Sequence, residues 1–153
     1  MDLHFELDDL DRPAVVALLE EHLDDMYAVS PPESVHALDL AGLRAPGLRF
    51  WSAWEGDGLA GCGALKDHGD GSVELKSMRT AVGGRGRGIG TALLGFLLDQ
   101  ARAGGASQVL LETGSEDYFA PARRLYARHG FVVRGPFADY VEDPNSVFME
   151  LTL

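Results

Sequence analysis

The chain has 153 residues and a net charge of −11 at pH 7, and 46% of its residues are apolar. This length and composition predict one globular domain over residues 1–153 and exclude a disordered chain. The acidic balance argues against a nucleic-acid partner, whose phosphates need a basic surface. No apolar run approaches the ~20 residues of a membrane span, and the N-terminus lacks the pattern of a signal peptide, so a cytoplasmic protein without a membrane partner is expected.

The first third of the chain predicts one strand and two helices. Residues 4–7 alternate in polarity as a strand does, and a helix follows with Asp11 as its expected N-cap. Ser30 and Glu33 stand three residues apart around a proline pair, which is the signature of a capping box. This pattern predicts a second, short helix that runs to about Leu43.

Three strands and a helix are predicted in the middle of the chain. Residues 48–54 and 59–65 flank a tight turn and form a predicted hairpin, in which Cys62 is a small core residue rather than a nucleophile. A longer strand is predicted over residues 73–82. After a glycine-rich turn, a helix begins near Ile89 and ends at a glycine pair.

The last third of the chain predicts a short apolar strand over residues 108–113, a helix that ends just before Gly130, and two final strands. The resulting element order is β-α-α-β-β-β-α-β-α-β-β. It predicts an α/β fold with a mixed central sheet of about six or seven strands and helices on both faces. The sheet is expected to be antiparallel through the hairpins and parallel across the β-α-β crossover.

The stretch RGRGIGTALL, residues 85–94, places glycines and arginines directly before a helix. Free backbone N–H groups and the helix dipole make such a turn an anion site, and glycine lets the backbone approach a phosphate closely. Residues 79–134 hold eight arginines against four acidic side chains, so this part of an acidic chain is basic. Both nucleotide patterns fail here, because the P-loop lysine and the G-x-G-x-x-G spacing are missing.

Arg85, Gly88 and Gly90 instead match the pattern Arg-x-x-Gly-x-Gly. Together with residues 109–114 (VLLETG) and 122–131 (ARRLYARHGF), this turn resembles the GCN5-related N-acetyltransferase (GNAT) superfamily. The resemblance, which extends to its small bacterial members, covers most of the chain. It implies an acyl-CoA-dependent N-acyltransferase that moves an acetyl group from acetyl-CoA to an amine by direct attack in a ternary complex.

The resemblance also implies where acetyl-CoA binds. Strands 73–82 and 108–113 are expected to splay apart, with the thioester in the gap between them. Backbone N–H groups of residues 85–91 would cradle the pyrophosphate, and the backbone of residues 78–80 would pair with the pantetheine amides as an added strand. Phe119 stands where many relatives have an asparagine that contacts the cofactor. The implied cofactor-binding residues are Met78, Arg79, Thr80, Arg85, Gly86, Arg87, Gly88, Ile89, Gly90, Thr91 and Phe119.

Two residues have implied catalytic roles. Tyr126 of the Leu-Tyr-x-x-x-Gly-Phe motif would protonate the departing thiolate, or else it is a core tyrosine that covers the cofactor's apolar arm. Glu74, eleven residues before Arg85, would deprotonate the amine through water, as a glutamate does in the histone-acetyltransferase branch. Otherwise it is an ordinary strand residue that faces solvent or pairs with Lys76. Glu112 on the neighbouring strand is the competing base. The five histidines show no metal-ligand spacing, so no metal is expected.

The acceptor amine is expected between the first two helices and the segment 135–148. The acidic bias of these segments favours a cationic acceptor: a polyamine, an amino sugar, or a lysine or N-terminus of a peptide. The alternative function is a non-catalytic domain of the same fold that binds acetyl-CoA and regulates a partner, and a homodimer is compatible with the fold. The candidate acceptor residues in this region are Met26, Tyr27, Glu33, His36, Asp139 and Tyr140.

Overall fold

The computed structural model of the protein describes residues 2–81 and 87–153. Within them, seven strands form one mixed sheet, with four α-helices and two short 3-10 turns around it. The strands are β1 (His4–Leu7), β2 (Leu48–Glu55), β3 (Gly58–Asp67), β4 (Ser72–Thr80), β5 (Gln108–Gly114), β6 (Val132–Arg134) and β7 (Ser146–Thr152). The helices are α1 (Pro13–Val29), α2 (Leu40–Leu43), α3 (Ile89–Ala103) and α4 (Ala120–Arg128), and the 3-10 turns are Pro32–Ser34 and Asp117–Phe119.

The sheet order is β1-β2-β3-β4-β5-β7-β6. Neighbouring strands pair antiparallel, except that β4 and β5 are parallel across the α3 crossover. Helices α1 and α2 cover one face and pack on buried residues such as Phe50 and Cys62. Helices α3 and α4 cover the other face, through residues such as Leu93 and Tyr126. The predicted α/β fold is confirmed, and no helix within the described ranges is long and apolar enough to cross a bilayer.

The parallel strands β4 and β5 separate part-way along their length. Their pairing covers three residue pairs and ends where Glu74 faces Leu110. Beyond that pair β4 continues to Thr80 and β5 to Gly114, with no further ladder between them. The predicted splay is therefore confirmed, and the facing strand edges offer backbone N–H and C=O groups to a ligand.

A β-bulge in β4 lies at this opening. Opposite β3, Cys62 pairs with Arg79 but Ala64 pairs with Lys76, so β4 carries one extra residue between them. Ser77 at the bulge has a φ of +52°, which is uncommon for a residue other than glycine. Because of the extra residue, the side chains of Lys76 and Arg79 both turn toward the α1 face, although they are three positions apart.

The second helix predicted over residues 30–43 is wrong. Only a 3-10 turn and the four-residue α2 form in this range. Ser30 ends α1, and its hydroxyl donates to Glu116 instead of capping a new helix. The hydroxyl of Ser34 likewise donates to Asp143. Hydrogen bonds to distant parts of the chain therefore override the local capping signal.

The predicted N-cap of α1 is also wrong. Arg12 occupies the N-cap position without a side-chain cap bond, and Pro13 is the first helical residue. Proline has no N–H to be capped, so the first turn has one less donor to satisfy. The Asp11 carboxylate lies 3.7 Å from the Arg44 guanidinium instead.

Candidate active site

A cavity of about 640 Å³ opens where β4 and β5 diverge. Its walls come from both faces of the sheet, so the cavity passes between the two strands. A volume of this size suits one small ligand or the reactive end of a larger one. The lining residues are 75–80 of β4, 111–114 of β5, 88–91 at the start of α3, Tyr118, Phe119, Pro121, Ala122, Leu125, Tyr126 and Arg128 around α4, and His22, Met26, Ser30, residues 34–37 and Asn145 opposite them.

The wall nearest α3 is the N-terminus of that helix. Gly88 precedes α3 with a φ of +81°, a left-handed conformation that favours glycine. The first turn, which includes Ile89, Gly90 and Thr91, contains no acidic residue, and no side chain of residues 2–81 or 87–153 caps it. Its backbone N–H groups therefore remain for an anion, and all four residues line the cavity, as their predicted role requires.

The two arginines predicted for this turn differ in what the structure describes. Arg85 and its neighbour Gly86 lie outside the described residues. Arg87 is exposed, and its guanidinium donates to the Glu55 carboxylate at 2.9 Å rather than lining the cavity. The role of Arg87 in cofactor binding stays a prediction.

Met78, Thr80 and Phe119, all predicted to contact the cofactor, line the cavity. The Phe119 ring is buried and lies directly against Gly114. A Cβ placed at Gly114 would lie 2.1 Å from Phe119 Cδ2, so only glycine fits at this point of β5. The aromatic wall thus depends on the absence of a side chain on the neighbouring strand.

Glu112 is the only acidic side chain in the cavity wall among the described residues. It lies on β5, two residues beyond the last pair with β4. Burial raises the pKa of Glu112 to about 7, although the nearby Lys76 ammonium opposes this shift. A carboxyl group that titrates near neutral pH can accept and release a proton under working conditions.

Tyr126 reaches the same cavity from α4. Its ring is buried against Phe131, with centroids 5.8 Å apart. Burial and the negative charge of Glu112 raise the pKa of Tyr126 to about 12. The hydroxyl therefore remains protonated at neutral pH and can donate, and its electrostatic interaction with Glu112 links the two residues at one site.

The family model of the acetyltransferase (GNAT) family matches residues 15–131. The chain belongs to this family. It is 51% identical over 147 residues to the uncharacterized N-acetyltransferase YsnE of Bacillus subtilis (strain 168), covering 96% of this chain and 97% of YsnE. It is 45% identical over 146 residues to the IAA acetyltransferase of Azospirillum brasilense, covering 93% of this chain and 92% of that protein.

A solved structure described as an acyl-CoA N-acyltransferase from Klebsiella pneumoniae superposes with a TM-score of 0.80 at 27% identity. The match covers 99% of this chain and 97% of that one. Together with relatives of about half identity that are named N-acetyltransferases, this makes the chain an acetyltransferase.

The cavity of this acetyltransferase fits an acyl-CoA donor. The separated edges of β4 and β5 can pair with amide groups, which the pantetheine arm contains. The uncapped start of α3 offers N–H groups to phosphate. Leu75, Leu111 and Leu125 give the intervening wall an apolar lining. Each part of the ligand thus meets a surface of matching chemistry.

Glu74, the predicted base of the acetyltransferase, does not line the cavity within the described residues. Its side chain is 2% exposed. Tyr140 donates to its carboxylate at 2.5 Å, and His68 Nε2 and Lys76 Nζ lie 3.1 and 3.3 Å from it. The catalytic role of Glu74 stays a prediction, while the position of Glu112 in the wall favours Glu112.

Arg79 lines the cavity, but its guanidinium is used elsewhere. It donates to Glu21 at 2.5 Å and to Asp25 at 2.6 Å, which holds α1 over β4. Burial, followed by the charge of Arg79, lowers the pKa of the adjacent His22 to about 4, so this imidazole is neutral at pH 7. A role for Arg79 toward the cofactor is therefore confined to its backbone.

Sequence reasoning anticipated a pairing of Glu74 with Lys76 but missed the rest of the network around Lys76. Its Nζ donates to the His36 carbonyl at 3.1 Å and to the Tyr140 hydroxyl at 2.9 Å. The rings of His36 and Tyr140 meet edge to face, with centroids 4.9 Å apart. These partners lie 40 and 64 positions from Lys76 in the chain, so no local pattern pairs them. The available signal was an ionisable residue within a strand predicted to be central.

Proposed function

We propose that this acetyltransferase moves the acetyl group of acetyl-CoA to a primary amine, with both substrates bound at once. The observation that carries the proposal is that Glu112 and Tyr126 line one cavity from opposite faces of the sheet. Amine acetylation needs a base for the nitrogen and an acid for the leaving group, one on each side of the reacting carbon. Cys62 is fully buried and its pKa is raised to about 12 by burial, so a covalent cysteine intermediate is not proposed.

Glu112 acts as the base in this scheme. An amine attacks only in its neutral form, and the nitrogen must lose a proton as the new N–C bond forms. The Glu112 carboxylate accepts that proton. A pKa of about 7 lets the group take the proton during the reaction and return it to solvent afterwards. Lys76 and His36 also line the cavity, and they lie on the side where the acceptor amine would bind.

Tyr126 acts as the acid. When bound, acetyl-CoA supplies the acetyl group as a thioester, and the Tyr126 hydroxyl donates its proton to the departing sulfur. The backbone N–H of Met78 or Thr80 on β4 stabilises the negative charge that develops on the carbonyl oxygen. The start of α3 holds the phosphates, and Phe119 encloses the pantetheine arm.

The test is thiol release from acetyl-CoA with a panel of primary amines, followed by mass spectrometry of the products. IAA, after which the Azospirillum brasilense relative is named, is tested separately from the amines. The proposal expects a product heavier by one acetyl group on nitrogen and a matching amount of free thiol. A protein that binds acetyl-CoA but acetylates none of the amines would overturn it.

A further inference from the structure

The side of the cavity opposite α3 and α4 is lined mainly by one continuous piece of chain, together with Asn145. We define the roof as residues 22–37, which comprise the C-terminal half of α1 and the segment after it. The roof residues that line the cavity are His22, Met26, Ser30, Ser34, Val35, His36 and Ala37. The acceptor side of the reaction centre therefore lies beneath covalently continuous chain.

Side-chain hydrogen bonds join the roof to the far side of the cavity. Ser30 Oγ donates to Glu116 Oε2 at 3.0 Å, which reaches the loop after β5. Ser34 Oγ donates to Asp143 Oδ2 at 2.5 Å, which reaches the loop before β7. The Ser34 hydroxyl is the main reason that the pKa of Asp143 lies below its ordinary value, so this bond is charge-assisted. The two bonds span the opening between β4 and β5 at separate points.

A third attachment fixes the roof to β4. The Lys76 ammonium, whose side chain is 9% exposed, donates to the His36 carbonyl in the roof and to the Tyr140 hydroxyl in the loop before β7. Glu74 lies 3.3 Å from the same ammonium and compensates its charge. Breaking this attachment would leave a mostly buried cation without its partners, which is costly.

The charged side chains that line the cavity also limit how many amino groups the acceptor can carry. Glu112 is the only acidic side chain in the wall among the described residues, and in the proposed reaction it takes the proton of the reacting nitrogen. Glu33 and Asp139 belong to the acidic segments that favoured a cationic acceptor, but they are exposed and do not line the cavity. A second ammonium group would thus enter a space that holds Lys76 and no spare carboxylate, which is unfavourable.

We infer that the acceptor is a small molecule with a single amino group, bound beneath the bonded roof, and not a polyamine or a lysine or N-terminus of a protein. The inference rests on the proposed function and names its substrate class. The cavity, at about 640 Å³, is the size that holds one small ligand. The pantetheine arm and acyl end of the donor occupy part of that space, so the acceptor has only the remainder. A polypeptide that extended past the roof toward β5 and β7 would have to displace the bonds of Ser30 and Ser34.

The experiment measures kcat/KM at saturating acetyl-CoA for three acceptor sets: small molecules with one amino group, polyamines, and lysine-containing peptides. The best small monoamine is expected to exceed every peptide and polyamine by about a hundredfold or more, within the range that a shaped site discriminates. A peptide or polyamine that matches the best monoamine would overturn the inference and leave the proposed function standing. No turnover with any amine would overturn both.

The roof itself is tested with the double variant Ser30→Ala/Ser34→Ala. It should raise the peptide-to-monoamine ratio of kcat/KM about tenfold, because about 1.4 kcal/mol of restraint corresponds to that factor. Its matched control is Ser115→Ala, since Ser115 Oγ donates to the Pro144 carbonyl at 2.7 Å without touching the roof. An equal change in both variants, or a ratio unchanged in a folded double variant, would contradict a role for the roof.

Discussion

The two sides of the cavity are built by different means. The side toward α3 is made of backbone: Gly88 in a left-handed conformation and the uncapped first turn of the helix. The side toward α1 is made of side-chain bonds between distant residues, such as Ser34 with Asp143 and Lys76 with the His36 carbonyl. The first surface is fixed by a few consecutive residues, and the second by pairs from different parts of the chain.

This difference separates a ligand-general surface from a ligand-specific one. Backbone N–H groups present the same donors whatever the nearby side chains are, which suits an acyl donor shared by a whole family. Individual hydrogen bonds contribute about 1 kcal/mol each, so single changes in the roof can alter its shape without unfolding the protein. Changes on the α3 side should therefore abolish binding, and changes in the roof should redirect selectivity.

The largest effect is expected for Gly88→Val on the backbone side. A β-branched residue at a φ of +81° is strained, so the turn should change conformation. Its N–H groups should then no longer point toward the phosphates. The dissociation constant for acetyl-CoA should rise by about a hundredfold or more, consistent with strain and lost contacts of a few kcal/mol. Isothermal calorimetry measures this change.

The matched control is Gly95→Ala within α3, where an added Cβ meets no atom within 4 Å. It should keep the affinity for acetyl-CoA and slightly stabilise the helix. Normal binding by a folded Gly88→Val protein would contradict the assignment of this turn.

Glu112→Gln tests the proposed general base, which lies between the α3 side and the α1 side of the cavity. For the native protein, kcat/KM should rise with pH through about 7, because only the deprotonated carboxylate accepts the proton. The variant should lose about 10²–10³-fold in kcat/KM above that pH and should lack the rise. Glu20→Gln, on the exposed side of α1, is the control. A variant that keeps the native pH profile would exclude Glu112 as the general base and favour Glu74 for that role.

The raised pKa of Glu112 also predicts how the stability of the protein depends on pH. The folded-state pKa of Glu112 lies above the ordinary value of 4.5. The stability that comes from this shift is therefore complete below the ordinary value and is lost as the pH rises through about 7. Glu112→Gln should remove this loss, so its melting temperature should fall less than that of the native protein over that range. Parallel curves for the two proteins would contradict the shift.

Tyr126→Phe should lower kcat by about ten- to a hundredfold, at or below the usual range for a general acid, and should leave the affinity for acetyl-CoA unchanged. The lost group is one hydroxyl, while the ring that packs on Phe131 remains. The control is Tyr27→Phe, because Tyr27, although a candidate acceptor residue by sequence, is 56% exposed and does not line the cavity. Unchanged kcat in Tyr126→Phe would limit this residue to covering the cofactor.

The smallest effect concerns the aromatic wall on the donor side. Gly114→Ala places a methyl group 2.1 Å from Phe119 Cδ2, so the ring must move. Overpacking of this kind costs about 1–3 kcal/mol, or several degrees in melting temperature. Differential scanning calorimetry with Gly95→Ala as the reference measures it. An unchanged melting temperature would mean that Phe119 is free to swing aside.

The sequence predicted the parts of this protein that depend on neighbouring residues. The glycine turn, the order of most elements along the chain and the splay follow from local patterns and from the family resemblance, and the structure confirms the fold. Glu112 was one of two candidate bases, because alternation along a short strand does not say which face opens onto a cavity. The bulge at Ser77, which changes that alternation on β4, has no sequence signal of its own.

The roof could not be predicted because its bonds connect residues far apart in the chain. Ser30 and Glu33 carried a good helix-start pattern, yet Ser30 bonds to Glu116, 86 residues away, and Ser34 bonds to Asp143, 109 residues away. Asp11 likewise forms an ion pair with Arg44 instead of capping α1. In each case a polar group with two available partners took the one that tertiary packing brought close.

One measurement tests most directly whether the cavity between β4 and β5 is a coenzyme A site: the melting temperature with acetyl-CoA, and with ATP and NADH as controls. Acetyl-CoA at ~100-fold over its dissociation constant should stabilise the native protein by about 2.7 kcal/mol, a rise of several degrees. ATP and NADH should produce no comparable rise, and Gly88→Val should lose the rise with acetyl-CoA. No rise with acetyl-CoA in a folded native protein, or an equal rise with ATP, would contradict the assignment.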